Sequence, residues 1–287
     1  MSTRTAAPAA APPAAPAETL TLAGRRGPAT GRTVYGVLGL VLSLVVWQLA
    51  SWLRHDPVIL PGVPETARTL VDYLHTRYPA ATGDTLWQHA LVSLARIGAG
   101  WSVGVLVGIA VGGVMSSVQP VRHLIDPVIE VTRPLPPLAF IPLFIVWFGI
   151  GETSKFLLIL VGVVPIMIIA TVTALDAVPE ELVQAGRSLG ASPAWALVTV
   201  RLRSALPGIV TGMRLAMGGA WTSIVAVELI ASTSGLGYLI NNAGVNLQTP
   251  LVLSGIVTIS ILGIALDALL RLVHRRLDPT TTHRRTA

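Results

Sequence analysis

The chain has 287 residues, of which 52% are hydrophobic and only 12% are charged, with a net charge of +6 and no cysteine. Soluble domains carry about 25% charged residues, so this composition indicates a membrane protein. The absence of cysteine excludes a disulfide framework, a thiolate metal site and a cysteine nucleophile.

Hydropathy predicts an all-α polytopic membrane protein. The first 32 residues are rich in alanine and proline and are predicted to be a disordered tail. A membrane span needs about 20 predominantly apolar residues, and residues 33–275 contain six such segments, followed by a tail over 276–287. The predicted spans lie near 33–53, 88–115, 123–149, 155–175, 205–231 and 251–273. Prolines must break or kink the third segment, so five spans is the alternative.

Between the first two spans, the apolar residues are spaced for one face of a short helix lying on the membrane surface. They are Val63, Ala67, Leu70, Val71 and Leu74. The alternative interpretation of this stretch is a solvated linker.

Small residues recur at four-residue intervals in the second and fifth spans. Each series forms a flat stripe on one helix face, which predicts a close helix-packing seam because packing drives helix association in lipid. The glycines concerned are Gly100, Gly104, Gly108, Gly112, Gly208 and Gly212.

Charged residues inside the spans are costly and are therefore functional candidates. Asp126, Glu130 and Arg133 share one helix face in the cytoplasmic third of span three, which favours a structural ion pair over a gate. Three isolated charges are candidates either for pairing across helices or for lining the transport path: Arg96, Arg214 and Glu228. Asp267 in the sixth span is a fourth single charge.

The polar segment 176–204 between the fourth and fifth spans is predicted to form two short helices around a corner. Asp176 is a candidate cap, Pro179 suits a first helical turn, and the acidic pair that follows it complements the helix dipole. Gly190 supplies the stop, and Ser192 with Pro193 opens a second helix toward Ser204.

Basic residues favour the cytoplasmic side of short loops. Clusters before span one, between spans two and three, in 176–204 and after span six all fall on one side of a six-span arrangement. Both termini and 176–204 are therefore predicted to be cytoplasmic, and 54–87 and 231–250 external. The positive charge is thus topological, and nothing indicates a nucleic acid partner.

No enzyme motif is present in the sequence. The single lysine, Lys155, follows no glycine-rich loop, so the chain has no P-loop for a nucleotide. The histidines show no zinc-binding spacing, and no serine lies in G-x-S-x-G. The chain is expected not to be an enzyme and to hold no metal or cofactor.

The segment around Gly190 resembles the E-A-A, three residues, G, nine residues, I-x-L-P signature of permease subunits of bacterial ATP-binding-cassette (ABC) importers. Ala185, Gly190 and both spacings match. The sequence departs from the signature at Gln184, Gly186, Val200 and Arg203. Residues 133–155, 179–192, 206–221 and 227–240 are similar to the subfamily that imports sulfonates, taurine and nitrate, and the similarity extends from about 58 to 275.

The resemblance implies a type I permease fold in the bacterial plasma membrane. It implies a dimer, usually of two identical chains, two ATPase subunits that bind ATP and Mg²⁺, and an external solute-binding protein. The cytoplasmic loop would dock on the ATPase as a coupling helix through Glu180, Glu181, Gln184, Ala185, Gly186, Leu189, Gly190 and Ala191. Alternative substrates are an amino acid, an osmoprotectant or a thiamine precursor, and the alternative class is a secondary transporter or channel.

Overall fold

The computed structural model describes residues 29–79, 83–192 and 195–277. The predicted N-terminal tail up to residue 28, and positions 278–287, lie outside them. The chain divides into two units, and the boundary along the sequence lies between Val46 and Trp47. Helix α1 (Ala29–Arg54) begins in the first unit, and every side chain from Val34 to Val46 is exposed, as expected for a helix surrounded by lipid.

The described residues are almost entirely helical, which confirms the predicted all-helical polytopic fold. Five of the described helical elements are long and apolar enough to cross a membrane, over Val34–Arg54, Leu86–Ser117, Glu152–Asp176, Ala196–Ala231 and Thr249–Leu272. After α1 the elements are α2 (Val63–His75), the antiparallel strands β1 (Arg77–Tyr78) and β2 (Asp84–Thr85), α3 (Leu86–Ser117), α4 (Gln119–Thr132), a 3-10 turn (Pro137–Phe140), α5 (Ile141–Phe148), α6 (Glu152–Asp176), α7 (Glu180–Ser188), a π-helical segment (Ala196–Leu202), α8 (Arg203–Ala231), α9 (Leu236–Val245) and α10 (Thr249–Leu277).

The glycine stripe of α3 packs directly on α6, and the order of contacts shows that the two helices are parallel. A Cβ placed on each glycine would come within 3 Å of a side chain of α6. Gly100 faces Ile159, Gly104 faces Val163, Gly108 faces Met167 and Gly112 faces Thr171. These glycines therefore allow an approach that any larger residue would obstruct.

Because α3 and α6 are parallel, the chain between them must return across the whole thickness of the bundle. It does so as α4, the 3-10 turn and α5, whose two arms meet at 91°. Arg122 of α4 binds Asp176 at the last residue of α6, whereas Phe144 of α5 accepts a hydrogen bond from Ser154 near the first. The interrupted segment is therefore a sixth crossing, broken where prolines 134, 136 and 137 remove backbone donors.

Two contact clusters define the ends of the bundle. We call the end where Ser116, Arg122 and Asp176 meet the α7 end, and the end where Arg96, Glu152 and Ser234 meet the α9 end. α8 runs antiparallel to α6, since Gly208 faces Ala174 and Gly212 faces Ala170.

The segment 231–250, which the sequence predicted to be external, contains regular and buried structure. It contains α9, whose Leu236, Leu239 and Ala243 are fully buried and pack with Leu86 and Leu251. No local capping residue marks the start of this helix, because the amides of its first turn donate to side chains of α3 and α8.

Candidate functional site

Helix α7 and the turn after it form an exposed projection at the α7 end of the bundle. The helix begins at Glu180 with Pro179 at the N-cap position, and it ends at Ser188. Gly190 follows with φ of +90°, a left-handed conformation that disfavours residues with a Cβ. The Ser192 hydroxyl then accepts a hydrogen bond from the Trp195 amide, which is the predicted second cap.

The second helix does not stop at Ser204, as the sequence suggested. It continues from the π-helical segment directly into α8, so that Ala196–Ala231 is one uninterrupted helical element. The helix that follows the Gly190 corner is therefore itself a membrane-crossing helix.

The side of α7 that faces away from the bundle presents both charged and apolar residues. Glu180, Glu181, Gln184 and Ala185 are exposed, and Leu189 is 90% exposed. A groove of about 570 Å³ runs between α7 and the segment after it, and Ala185, Gly186, Leu189, Gly190 and Ala191 are among its lining residues. So large an apolar exposure on a short polar helix is typical of a surface that a partner covers.

Two of the departures from the permease signature contact each other. Gly186 is buried, and a Cβ placed there would lie 3.1 Å from a methyl group of Val200. α7 thus packs directly on the π-helical segment, and both contacting residues are smaller than the alanine and isoleucine of the signature.

Asp176 does not cap α7, which corrects the prediction from sequence. It is the last residue of α6, and its carboxylate accepts hydrogen bonds from Ser116 at 3.0 Å and Arg122 at 2.8 Å. Arg201 lies 3.8 Å away on the segment after α7. The carboxylate therefore joins the ends of α3 and α6 to the beginnings of α4 and α8.

At the α9 end, Arg96 and Glu228 belong to one buried network. The Arg96 guanidinium donates to Glu228 at 2.7 Å, to Glu152 at 2.7 Å and to the Ser234 carbonyl at 2.8 Å. Glu228 also accepts from Ser93 and from the Gly237 amide. This pairing supplies the compensation that buried charges need.

Arg214, the third candidate for the path, is paired as well. It donates to Asp267 of α10 at 2.9 Å, and Asp267 also binds Arg271 at 3.0 Å. All three isolated charges therefore pair across helices, which was one of the two interpretations that the sequence left open.

None of these three residues lines a second groove, which lies along α6 and α8 and has a volume of about 710 Å³. Its walls are small and apolar residues together with threonines. Gly208 and Gly212, which the sequence assigned to a packing seam, contribute to both the seam and the groove. Sequence reasoning missed this groove because its walls come from helices that α7 and the π-helical segment separate in the chain.

The predicted ion pair of Asp126, Glu130 and Arg133 is not formed. Asp126 pairs with Arg122 at 3.5 Å, and no ion pair joins Glu130 or Arg133 to any residue that the structure describes. Arg133 instead borders the second groove. Within the described ranges, no cluster of three or more acidic or histidine side chains could hold a metal ion.

Comparisons with known proteins agree with this architecture. The family described as "binding-protein-dependent transport system inner membrane component" matches residues 104–279. The chain is 42% identical to the taurine transport system permease protein TauC of Escherichia coli, over 83% of this chain and 86% of that protein. It is 34% identical to the putative aliphatic sulfonates transport permease protein SsuC of Bacillus subtilis, over 86% and 89%. It is 28% identical to the nitrate import permease protein NrtB of Synechococcus elongatus, over 85% and 90%.

A solved structure of the MetNI methionine ABC transporter in an inward-facing conformation has the same fold. It superposes with a TM-score of 0.59 at 20% identity, covering 73% of this chain and 96% of that chain. At that identity the likeness concerns the fold alone.

Proposed function

The chain belongs to the family of binding-protein-dependent transport system inner membrane components and is an ABC importer permease subunit, and from that premise we propose that it imports a small sulfonate, taurine, nitrate or a similar oxyanion. The names of the relatives TauC, SsuC and NrtB support this substrate class. An amino acid, an osmoprotectant or a thiamine precursor is the alternative within the same architecture.

The observation that carries the assignment of the partner is the exposed surface of α7. Leu189 is 90% exposed beside a groove that the Gly190 corner keeps open. We infer that two ATPase subunits each cover one such surface, on two copies of this chain. ATP and Mg²⁺ bind to those subunits, and a solute-binding protein delivers the substrate from the opposite side.

The expected mechanism needs no covalent chemistry in this chain. Closure of the ATPase pair displaces α7, and the contact between Gly186 and Val200 passes the displacement to the π-helical segment. From there it reaches α8 directly and reaches α4 and α6 through Asp176, which binds both Arg122 and Arg201. The groove along α6 and α8 then opens alternately to the two sides.

The orientation follows from the same assignment. An ATPase acts in the cytoplasm, so the α7 end is cytoplasmic and the α9 end faces outward in a bacterial plasma membrane. α10 ends at the α7 end of the bundle, which agrees with a cytoplasmic C-terminus, and the basic residues before α1 predict a cytoplasmic N-terminus.

The decisive experiment is uptake into proteoliposomes that contain this chain, its partner ATPase and the cognate binding protein. Labelled taurine, ethanesulfonate and nitrate are tested separately with ATP and with a non-hydrolysable ATP analogue. We expect at least one of them to accumulate with ATP only. Accumulation without ATP would indicate a channel or secondary transporter. If none of the three substrates accumulates, the proposed substrate class is wrong.

A further inference from the structure

Arg133 lies halfway through the membrane-crossing bundle, far from the cytoplasmic third where the sequence placed it. α4 leads away from the α7 end: Arg122 binds Asp176, and Ile129, two turns later, belongs to the same apolar cluster as Ile168. Arg133 is one turn further, level with the middle of the 25-residue helix α6. At a rise of 1.5 Å per residue this position is about 18 Å from either end of α6.

The backbone beside Arg133 is irregular at this depth. α4 ends at Thr132, and the next regular turn begins at Pro137, so several carbonyl groups at the end of α4 have no following amide to accept from. Irregular backbone is tolerated at membrane depth only where protein buries it or water reaches it. Pro134, Leu135 and Pro136 are exposed rather than packed, and Leu135 lines the groove, so the backbone at this depth is accessible from the groove.

Arg133 is the only charged residue among those that line this groove within the described ranges. Its exposed guanidinium makes no hydrogen bond or ion pair there. Three of the threonines that line the groove are not competing donors, because Thr132, Thr211 and Thr222 each donate to a carbonyl one turn earlier in their own helix. The groove thus presents a single strong set of N–H donors.

We propose that Arg133 is the point in the translocation groove where the oxygen atoms of a small oxyanion are bound during passage. A guanidinium offers paired donors that match the oxygens of a sulfonate or nitrate group. A charge at mid-depth is costly unless it acts in a hydrated path. This inference rests on the proposed function and names, for the substrate, a residue different from the paired Arg96 and Arg214.

Chemical labelling tests the charge of the groove without requiring transport. Because the chain has no cysteine, Thr222→Cys and Thr173→Cys each introduce a unique target on this chain. Thr222 lies level with Gly162, beyond Arg133 as seen from the α7 end, whereas Thr173 lies near that end. The reagents are an anionic and a cationic methanethiosulfonate, applied to the assembled transporter from the cytoplasmic side.

We expect the anionic reagent to react faster than the cationic one at position 222. Arg133→Gln should lower this rate ratio by about fivefold, because it removes one positive charge from the route. The ratio at position 173 should change little. Arg133→Lys should preserve the ratio at 222, and so should the control Glu130→Gln, because Glu130 does not line the groove. Equal rates for the two reagents in the unsubstituted background, or an unchanged ratio in Arg133→Gln, would overturn the proposal.

Uptake distinguishes a failure of this inference from a failure of the proposed function. Arg133→Gln should reduce ATP-dependent uptake of ethanesulfonate or nitrate by about tenfold, the effect of losing one charge-assisted pair of hydrogen bonds, while the ATPase stimulated by the binding protein persists. Normal uptake by Arg133→Gln would refute the role of Arg133 and leave the proposed function intact. If Arg133→Gln does not reach the membrane, the rate ratio at position 222 is measured in Arg133→Lys instead. This variant keeps the positive charge, so a loss of preference for the anionic reagent would contradict the proposal.

Discussion

Arg96 and Glu228 are 132 residues apart in the sequence, yet their side chains form a 2.7 Å ion pair between α3 and α8. The Glu228 side chain has no exposure to solvent, and that of Arg96 has 10%. Glu228 also accepts a hydrogen bond from the Gly237 amide, and Arg96 donates to the Ser234 carbonyl. The pair therefore fixes the turn that leads into α9 at the outward end of the bundle.

Removing Glu228 should destabilise the protein strongly. Glu228→Ala leaves the Arg96 charge with only its exposed partner, and loss of one member of a buried pair costs about 3–5 kcal/mol. The unfolding midpoint in detergent should fall clearly. The control is Asp267→Ala, which removes a partly exposed pair with Arg214 and should lower the midpoint much less. Equal midpoints for the two variants would contradict the assignment of Glu228 to a buried structural network.

Gly108→Ala should loosen the seam between α3 and α6. The added Cβ would lie 2.3 Å from that of Met167, so the helices must move apart, at a cost of about 1–3 kcal/mol. Gly98→Ala on the same helix meets no atom within 4 Å and serves as the matched control. In an SDS titration, Gly108→Ala should unfold at a lower SDS fraction than Gly98→Ala. A Gly108→Ala protein as stable as Gly98→Ala would argue against close packing here.

Gly190→Val should impair communication between the permease and the ATPase subunits. The position has space for a side chain but a φ of +90°, so the defect arises from backbone strain in the corner after α7. Membrane insertion should be normal, while uptake and the ATPase stimulated by the binding protein should fall several-fold. Gly190→Asn, which tolerates left-handed backbone better, should be less impaired. Unchanged ATP-dependent uptake by the valine variant would count against a coupling role for this corner.

Leu189→Asp should weaken binding of the ATPase subunit without destabilising the permease. The side chain is 90% exposed and contributes little to the core, but a charge there places an unfavourable group in a desolvated interface. The amount of ATPase that co-purifies with the permease measures this effect. Ile59→Asp, an exposed apolar residue at the outward end, is the control and should leave co-purification unchanged. Full recovery of the ATPase with Leu189→Asp would place the docking surface elsewhere.

Several features of the fold could be predicted from the sequence because they depend on neighbouring residues. Runs of apolar residues indicated the long helices, and proline and glycine marked the ends of α7. The four-residue interval of Gly100 to Gly112 predicted one flat face, although not which helix would cover it. The missing P-loop indicated that any ATPase must be a separate chain.

The tertiary structure alone decided which charges meet and how deep each one lies. Arg96 and Arg214 are isolated in the sequence but pair with carboxylates on distant helices, whereas Arg133 has acidic neighbours in the sequence but faces a groove. Likewise, the start of α9 is held by His89 and Ser93 of α3, which accept hydrogen bonds from the Gly235 and Leu236 amides. Nothing within residues 231–250 indicates these partners. Hydrophobicity and backbone preference act between residues close in the chain, so the sequence determined the helices. The partners of a buried charge depend on how helices from distant parts of the chain pack, and only the folded bundle determines that.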